Sequence, residues 1–201
     1  MFCLTEPTDA AWAKQAISDL GAVLIDHAHC EMKAASNALS LAARHPANAQ
    51  IVLALTALAR EELDHFDRVL ALLTAQGLVL SNPPVDNYAA ALRRAAHDEK
   101  LSVPPLCRRL LIGAIIEARS SERFKLLLPV LPAAGAAHLV PFYEELFECE
   151  ARHYRTYVDL ATLAADGDSA AVRAALGKLA AAEGVIVREL AQAEARATVH
   201  G

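Results

Sequence analysis

Apolar residues recur every three or four positions along almost the whole chain, and no stretch alternates as a half-buried strand would. The spacing predicts a long first helix from about Asp9, which can cap the segment starting at Ala10, to about Arg44. His45 and Pro46 break it. A second helix covers about 48–76, with Gly77 as its stop. Ser81, Asn82, Pro83 and Pro84 demand irregular backbone, and a short helix follows over about 86–97. A third long helix begins after Ser102, with Pro104 and Pro105 tolerated in its first turn, and ends near 129–132. A fourth runs from about Pro141 to Ala165, and after a turn at 166–169 a fifth fills most of 169–197.

The connections suggest the topology. The first two helices are joined by a few residues and should be antiparallel neighbours, and so should the third and fourth. The stretch 77–102 between the pairs is long enough for a crossover. The expected fold is therefore all-α. It is a ferritin-like four-helix bundle of two antiparallel hairpins joined by a long crossover, with an extra C-terminal helix. One domain over 1–201 is expected, with the bundle at about 9–165 and the extra helix at about 169–197. Composition agrees: 55% of residues are hydrophobic but only 5% aromatic, so Ala and Leu must fill the core. Cys3, Cys30, Cys107 and Cys149 make no C-x-x-C pair, which excludes a zinc ribbon or a rubredoxin-type iron site. The first residues carry no secretory signal, and the apolar run at 110–116 is too short to span a bilayer. A cytoplasmic protein without membrane association is expected.

Four carboxylates and two imidazoles interrupt the apolar stripes. Glu62 and His65 form a Glu-x-x-His pair within the line Ile51, Leu55, Leu58, Val69 and Leu72. Glu150 and His153 form a second pair within Leu139, Tyr143, Leu146, Tyr157 and Ala161. Residues three apart share a helix face, so each pair can hold one ion. Glu31 lies in the stripe of the helix before the first pair, and Glu117 in that before the second. The separations repeat: 31 residues from Glu31 to Glu62 and 33 from Glu117 to Glu150. An ionised group on a core face costs several kcal/mol unless paired or metal-bound. This is the ligand set of di-iron and di-manganese carboxylate bundles. Glu122 competes with Glu117, but Glu117 fits the repeat and the stripe better; Glu122 would pair with Arg119 or Lys125 at the surface.

Other groups have plainer readings. His27, four before Glu31, reads as a satisfied core or boundary histidine, with lining the site as the alternative. His29 reads as solvated, and Cys30 and Cys149 as small buried hydrophobes. Glu61 is the candidate hydrogen-bond partner for His153, with an exposed surface charge as the equal alternative. Net charge is −5, yet residues 93–125 hold eight basic and four acidic residues, +4 against −9 for the rest. That segment is either a phosphate-contacting surface or merely a solvated basic face.

Local strings narrow the choice. DHAHCEMKAA at 26–35, AREELDHF at 59–66, IEARSSERF at 116–124 and ECEARHY at 148–154 resemble the ligand helices of the MiaE family of tRNA hydroxylases. The resemblance covers about residues 1–165. It implies a non-haem di-iron monooxygenase that hydroxylates the isopentenyl group of 2-methylthio-isopentenyladenosine in tRNA. Two iron ions would be the cofactor and O2 the co-substrate, with an external electron donor of ferredoxin or reductase type. Glu31, Glu62, His65, Glu117, Glu150 and His153 would be the iron ligands, in a monomer or small homo-oligomer. Leu24, Leu58, Ile116 and Phe124 would line the space for the prenyl tail. Arg93, Arg94, Arg108, Arg109, Arg119 and Arg123 become candidate contacts to tRNA phosphates.

Rivals share part of this pattern. A ferroxidase or iron-storage bundle has the same ligands but assembles into a cage. A manganese catalase, or an oxygenase for another small apolar substrate, matches on ligands alone. A ribonucleotide reductase radical subunit needs a tyrosine by the first hairpin's ligands, whereas Tyr88, Tyr143, Tyr154 and Tyr157 all lie later. A helical interaction module would bind no metal.

Overall fold

Asp19 divides what the periodicity predicts as one long first helix. In the computed structural model, which describes residues 2–83, 85–193 and 198–199, α1 is Ala11–Ser18 and α2 is Leu20–Arg44. Asp19 has a non-helical φ of −143°, and its Oδ1 accepts from the Ala22 N–H at 3.1 Å. The side chain thus satisfies a donor that a new helix leaves orphaned, and the old helix ends there. Asp9 caps α1 as expected, accepting from the Ala11 N–H at 2.7 Å. The remaining helices fall near their expected places: α3 Ala49–Ala75, α4 Asn87–Asp98, α5 Pro105–Leu127, α6 Val140–Ala164 and α7 Ser169–Ala193. All regular structure among the described residues is helical. Residues 194–197, the expected end of the fifth long helix, lie outside those described. No helix among the described residues is long and apolar enough to cross a membrane.

The described residues form two compact units. The first, Asp19–Val85, is the α2–α3 hairpin. Its turn is closed by Asn48, whose Oδ1 accepts from the Ile51 N–H at 3.1 Å and starts α3. The two helices pack on each other and bury Leu24, Ala28 and Ala35 of α2 with Ile51, Leu55 and Val69 of α3. Small alanines let the backbones approach, so a carboxylate on one helix can reach a side chain on the other.

The second unit contains the described residues up to Ser18 and from Asp86 onward. Its centre is α5, which contacts α1, α4, α6 and α7 and is buried nearly all round, as a helix with apolar residues on every face must be. Pro105 occupies the first turn of α5, where no donor is lost. α5 and α6 form the second hairpin, joined through two short 3-10 turns at Pro132–Ala134 and Ala137–Leu139. Asp166 and Gly167 adopt φ of 52° and 85°, turning the chain into α7, and Asp168 caps that helix through the Ala171 N–H at 2.9 Å.

Two features fix α5. Gly113 allows the ring of Tyr157 to lie against its backbone; a Cβ there would meet ring atoms at 2.8 Å. On another face, Arg119 is fully buried and grips Glu183 of α7 with two hydrogen bonds of 2.9 Å. It also donates to Thr8 Oγ1 at 3.0 Å, to the Glu6 carbonyl at 2.9 Å and to Glu122. Tyr88 of α4 donates to Glu183 Oε1 at 2.9 Å. Burial disfavours the Arg119 charge, but the hydrogen bonds to Glu183 and its charge outweigh that and raise the guanidinium pKa. Burial, and then the Glu183 charge, push the Tyr88 hydroxyl well above its ordinary value, so it stays a donor.

Gly113→Ala is expected to destabilise the protein by about 1–3 kcal/mol in urea unfolding, because a ring rather than a flexible chain end must move. Arg119→Met or Glu183→Leu alone is expected to cost about 3–5 kcal/mol. The double substitution should cost clearly less than the sum, a coupling that a double-mutant cycle measures.

Candidate metal centre

Each unit presents one buried cluster of two carboxylates and an imidazole. In the first, Glu31 of α2 meets Glu62 and His65 of α3, with exposures of 4%, 1% and 4%. Their ligand atoms lie within 4.8 Å of one another. His65 Nδ1 is 3.4 Å from Glu31 Oε2 and 3.7 Å from Glu62 Oε2. In the second, Glu117 of α5 meets Glu150 and His153 of α6, all buried and within the same 4.8 Å. His153 Nδ1 is 3.6 Å from Glu150 Oε2. Both imidazoles therefore turn Nδ1 toward the carboxylates.

These separations fit a shared cation. Donors bound to one ion at about 2.1 Å stand roughly 3–3.5 Å apart. Two buried carboxylates so close together repel and lose hydration, and a divalent ion removes both penalties. Carboxylate with imidazole is a donor set for iron, manganese or zinc. The residues present thus fit a metal at each triad.

The surroundings of the two triads differ. His27 is fully buried and hydrogen-bonded, as expected of a satisfied core histidine, and its partner is Glu31 of the first triad, with Nε2 2.6 Å from Oε1. Its signal was its place one helical turn before Glu31. In the second unit, Cys149 Sγ lies 3.5 Å from His153 Nε2 and accepts from Arg152 at 3.1 Å. The thiol is buried, as expected, but makes polar contacts that its apolar reading did not foresee. Glu61 is exposed on α3.

Glu122 is not a member of the second triad. Its carboxylate accepts from the Thr8 N–H at 3.2 Å and hydroxyl at 2.7 Å and pairs with Arg119, which leaves Glu117 as the α5 contribution. The expected surface pairing with Arg119 occurs, but inside the second unit, because Arg119 itself is buried.

The basic segment divides. Arg93 and Arg94 are exposed on α4, and Arg108 and Arg109 are half-buried at the start of α5. Arg119 and Arg123 cannot be phosphate contacts. Arg119 is spent on Glu183 and Glu122, and Arg123 is 5% exposed, with Nη1 2.8 Å from the Thr198 carbonyl and its guanidinium 5.3 Å from the Trp12 ring centre. Burial, then the neighbouring Arg119, push Arg123 down to about 10. His29 is also buried rather than solvated, with Nε2 2.8 Å from the Ser81 carbonyl.

Comparison with known proteins points to the same family as the local sequence strings. The family described as tRNA-(MS[2]IO[6]A)-hydroxylase (MiaE) matches residues 1–197. A Pseudomonas putida protein named tRNA 2-(methylsulfanyl)-N(6)-isopentenyladenosine(37) hydroxylase is 43% identical over 157 residues, 77% of this chain and 73% of that one. A Salmonella typhimurium protein of the same name is 29% identical over 217 residues, 83% of this chain and 78% of that one. Among solved structures, a Synechococcus protein described as having aldehyde deformylating oxygenase activity superposes with a TM-score of 0.85 at 34% identity. It covers 100% of this chain and 96% of its own, and bears out the ferritin-like fold class. The chain belongs to the MiaE family of tRNA hydroxylases and is an enzyme.

Proposed function

We propose that this chain is a non-haem di-iron, O2-dependent monooxygenase that hydroxylates the isopentenyl group of 2-methylthio-isopentenyladenosine in tRNA. The observation that carries the reading is the buried triad of two glutamates and a histidine, present once in each hairpin of a chain that the family matches over 1–197. Residues 1–201 act as one domain in this reading. Glu31, Glu62, His65, Glu117, Glu150 and His153 hold two iron ions. When bound, the irons supply the O2 reduction and C–H oxidation that no side chain can perform. Overall, O2, two electrons and two protons turn one C–H into C–OH and release one water. The electrons come from an external donor of ferredoxin or reductase type.

The chain's own residues do the rest. Four carboxylates offset the charge of two divalent ions while the imidazoles add none. Leu24 and Leu58 are buried in the first unit, and in the second Phe124 is buried and Ile116 half-buried; apolar side chains of this kind suit a prenyl tail and exclude water. The modified base must leave the anticodon stack to reach such a site. Arg93, Arg94, Arg108 and Arg109 meet tRNA phosphates. The protein works in the cytoplasm as a monomer or small homo-oligomer.

A second reading keeps the di-iron chemistry but changes the substrate to another small apolar molecule. The full-length likeness to the Synechococcus oxygenase favours it.

Nucleoside mass spectrometry of tRNA separates the two. Cells lacking the protein should lose the hydroxylated nucleoside and accumulate its precursor, and Glu62→Ala should restore about a tenth of it or less, with a matching fall in bound iron. Unchanged nucleosides, with iron and O2 consumption intact in the purified protein, select the second reading. The double reversal Arg93→Glu and Arg94→Glu should raise KM for tRNA with kcat retained, and lower the slope of log affinity on log salt by about 2.

A further inference from the structure

Glu31 divides its two oxygens between different partners. Oε1 lies 2.6 Å from His27 Nε2, while Oε2 lies 3.4 Å from His65 Nδ1, inside the first triad. Both residues of the His27–Glu31 pair are buried, at 0% and 4% exposure, and they stand one turn apart on α2. A carboxylate that binds a cation has no proton to give, so in the metal-holding state the donor would be the His27 Nε2–H. The bond occupies one oxygen and leaves the other turned toward Glu62 and His65.

We propose that His27 is a positioning residue, which holds Glu31 by one oxygen so that the other is presented to a cation. This deepens the metal-centre reading and rests on it. The chemistry suits an imidazole. A neutral imidazole can donate from one ring nitrogen, and in that form it fixes a carboxylate without cancelling the negative charge that a cation needs. A lysine or arginine in the same place would neutralise Glu31 and compete with the metal. Buried on the same helix as its partner, His27 cannot swing away without breaking the packing of α2. In the second triad the imidazole of His153 contacts a neighbour, Cys149.

The test is a cobalt(II) titration of the metal-free full chain, following the visible bands of the bound ion alongside thermal unfolding of the apo form. Wild type should take up two equivalents. His27→Phe should fold as wild type does, still take two, but bind one of them about 10- to 100-fold more weakly with altered bands. His27→Gln, whose amide can donate to the same oxygen, should recover much of the affinity and the wild-type bands. If Phe is not tolerated, His27→Ala takes its place with the same readouts. Wild-type constants and bands in the Phe variant overturn the role. A fall to one equivalent in both the Phe and Gln variants also overturns it, because His27 is then a ligand. A wild-type chain that takes up no cobalt overturns the metal centre and His27's role with it, whereas the first two outcomes leave the centre standing.

Discussion

The cost of holding ionised carboxylates away from water organises both hairpins. Glu31 and Glu62 lie in one apolar interface, and Glu117 and Glu150 in another. In each case the second carboxylate comes within 4.8 Å of the first. Such pairs are destabilising unless positive charge joins them. Alanine-rich packing brings the helices close enough for the pairs to form, and the Glu-x-x-His spacing brings an imidazole to the same point. The fold therefore carries an electrostatic debt at two places, and a divalent cation at each is the simplest way to settle it.

Most of this was legible in the sequence because each candidate ligand breaks an apolar stripe. Glu62 with His65, and Glu150 with His153, are three apart, so a single helix face shows them both. The near-equal separations from Glu31 and Glu117 link two helices per hairpin without any knowledge of packing. The N-caps Asp9, Asn48 and Asp86 likewise announce themselves locally. Asp19 does so too, following Ser18, but the apolar period runs on across it and conceals the break.

Charge counting misread Arg119 and Arg123. Composition cannot tell which face of α5 lies against α7, because the partner Glu183 is far along the chain and contact between them is a tertiary fact. A signal did exist. Glu183 interrupts the buried line of Val172, Leu176, Leu179, Ala180 and Val187, just as Glu62 interrupts its own stripe. Taken with two arginines four apart on a helix flanked by apolar residues, it points to an internal ion pair. The partner of His27 is a tertiary detail of the same kind: one turn from Glu31 means contact only if both rotamers turn inward.

The bidentate grip of Arg119 on Glu183 changes the standing of the C-terminal helix. A helix packed outside a bundle invites the view that it is an appendage, open to trimming or to replacement by a fusion partner. Here, cutting the chain before α7 would take Glu183 from Arg119, two residues along α5 from Glu117, and leave it only Glu122, Thr8 and the Glu6 carbonyl. Shortening the protein from that end therefore reaches the helix that carries Glu117 of the candidate metal centre, and a version that keeps the Arg119–Glu183 pair must include position 183.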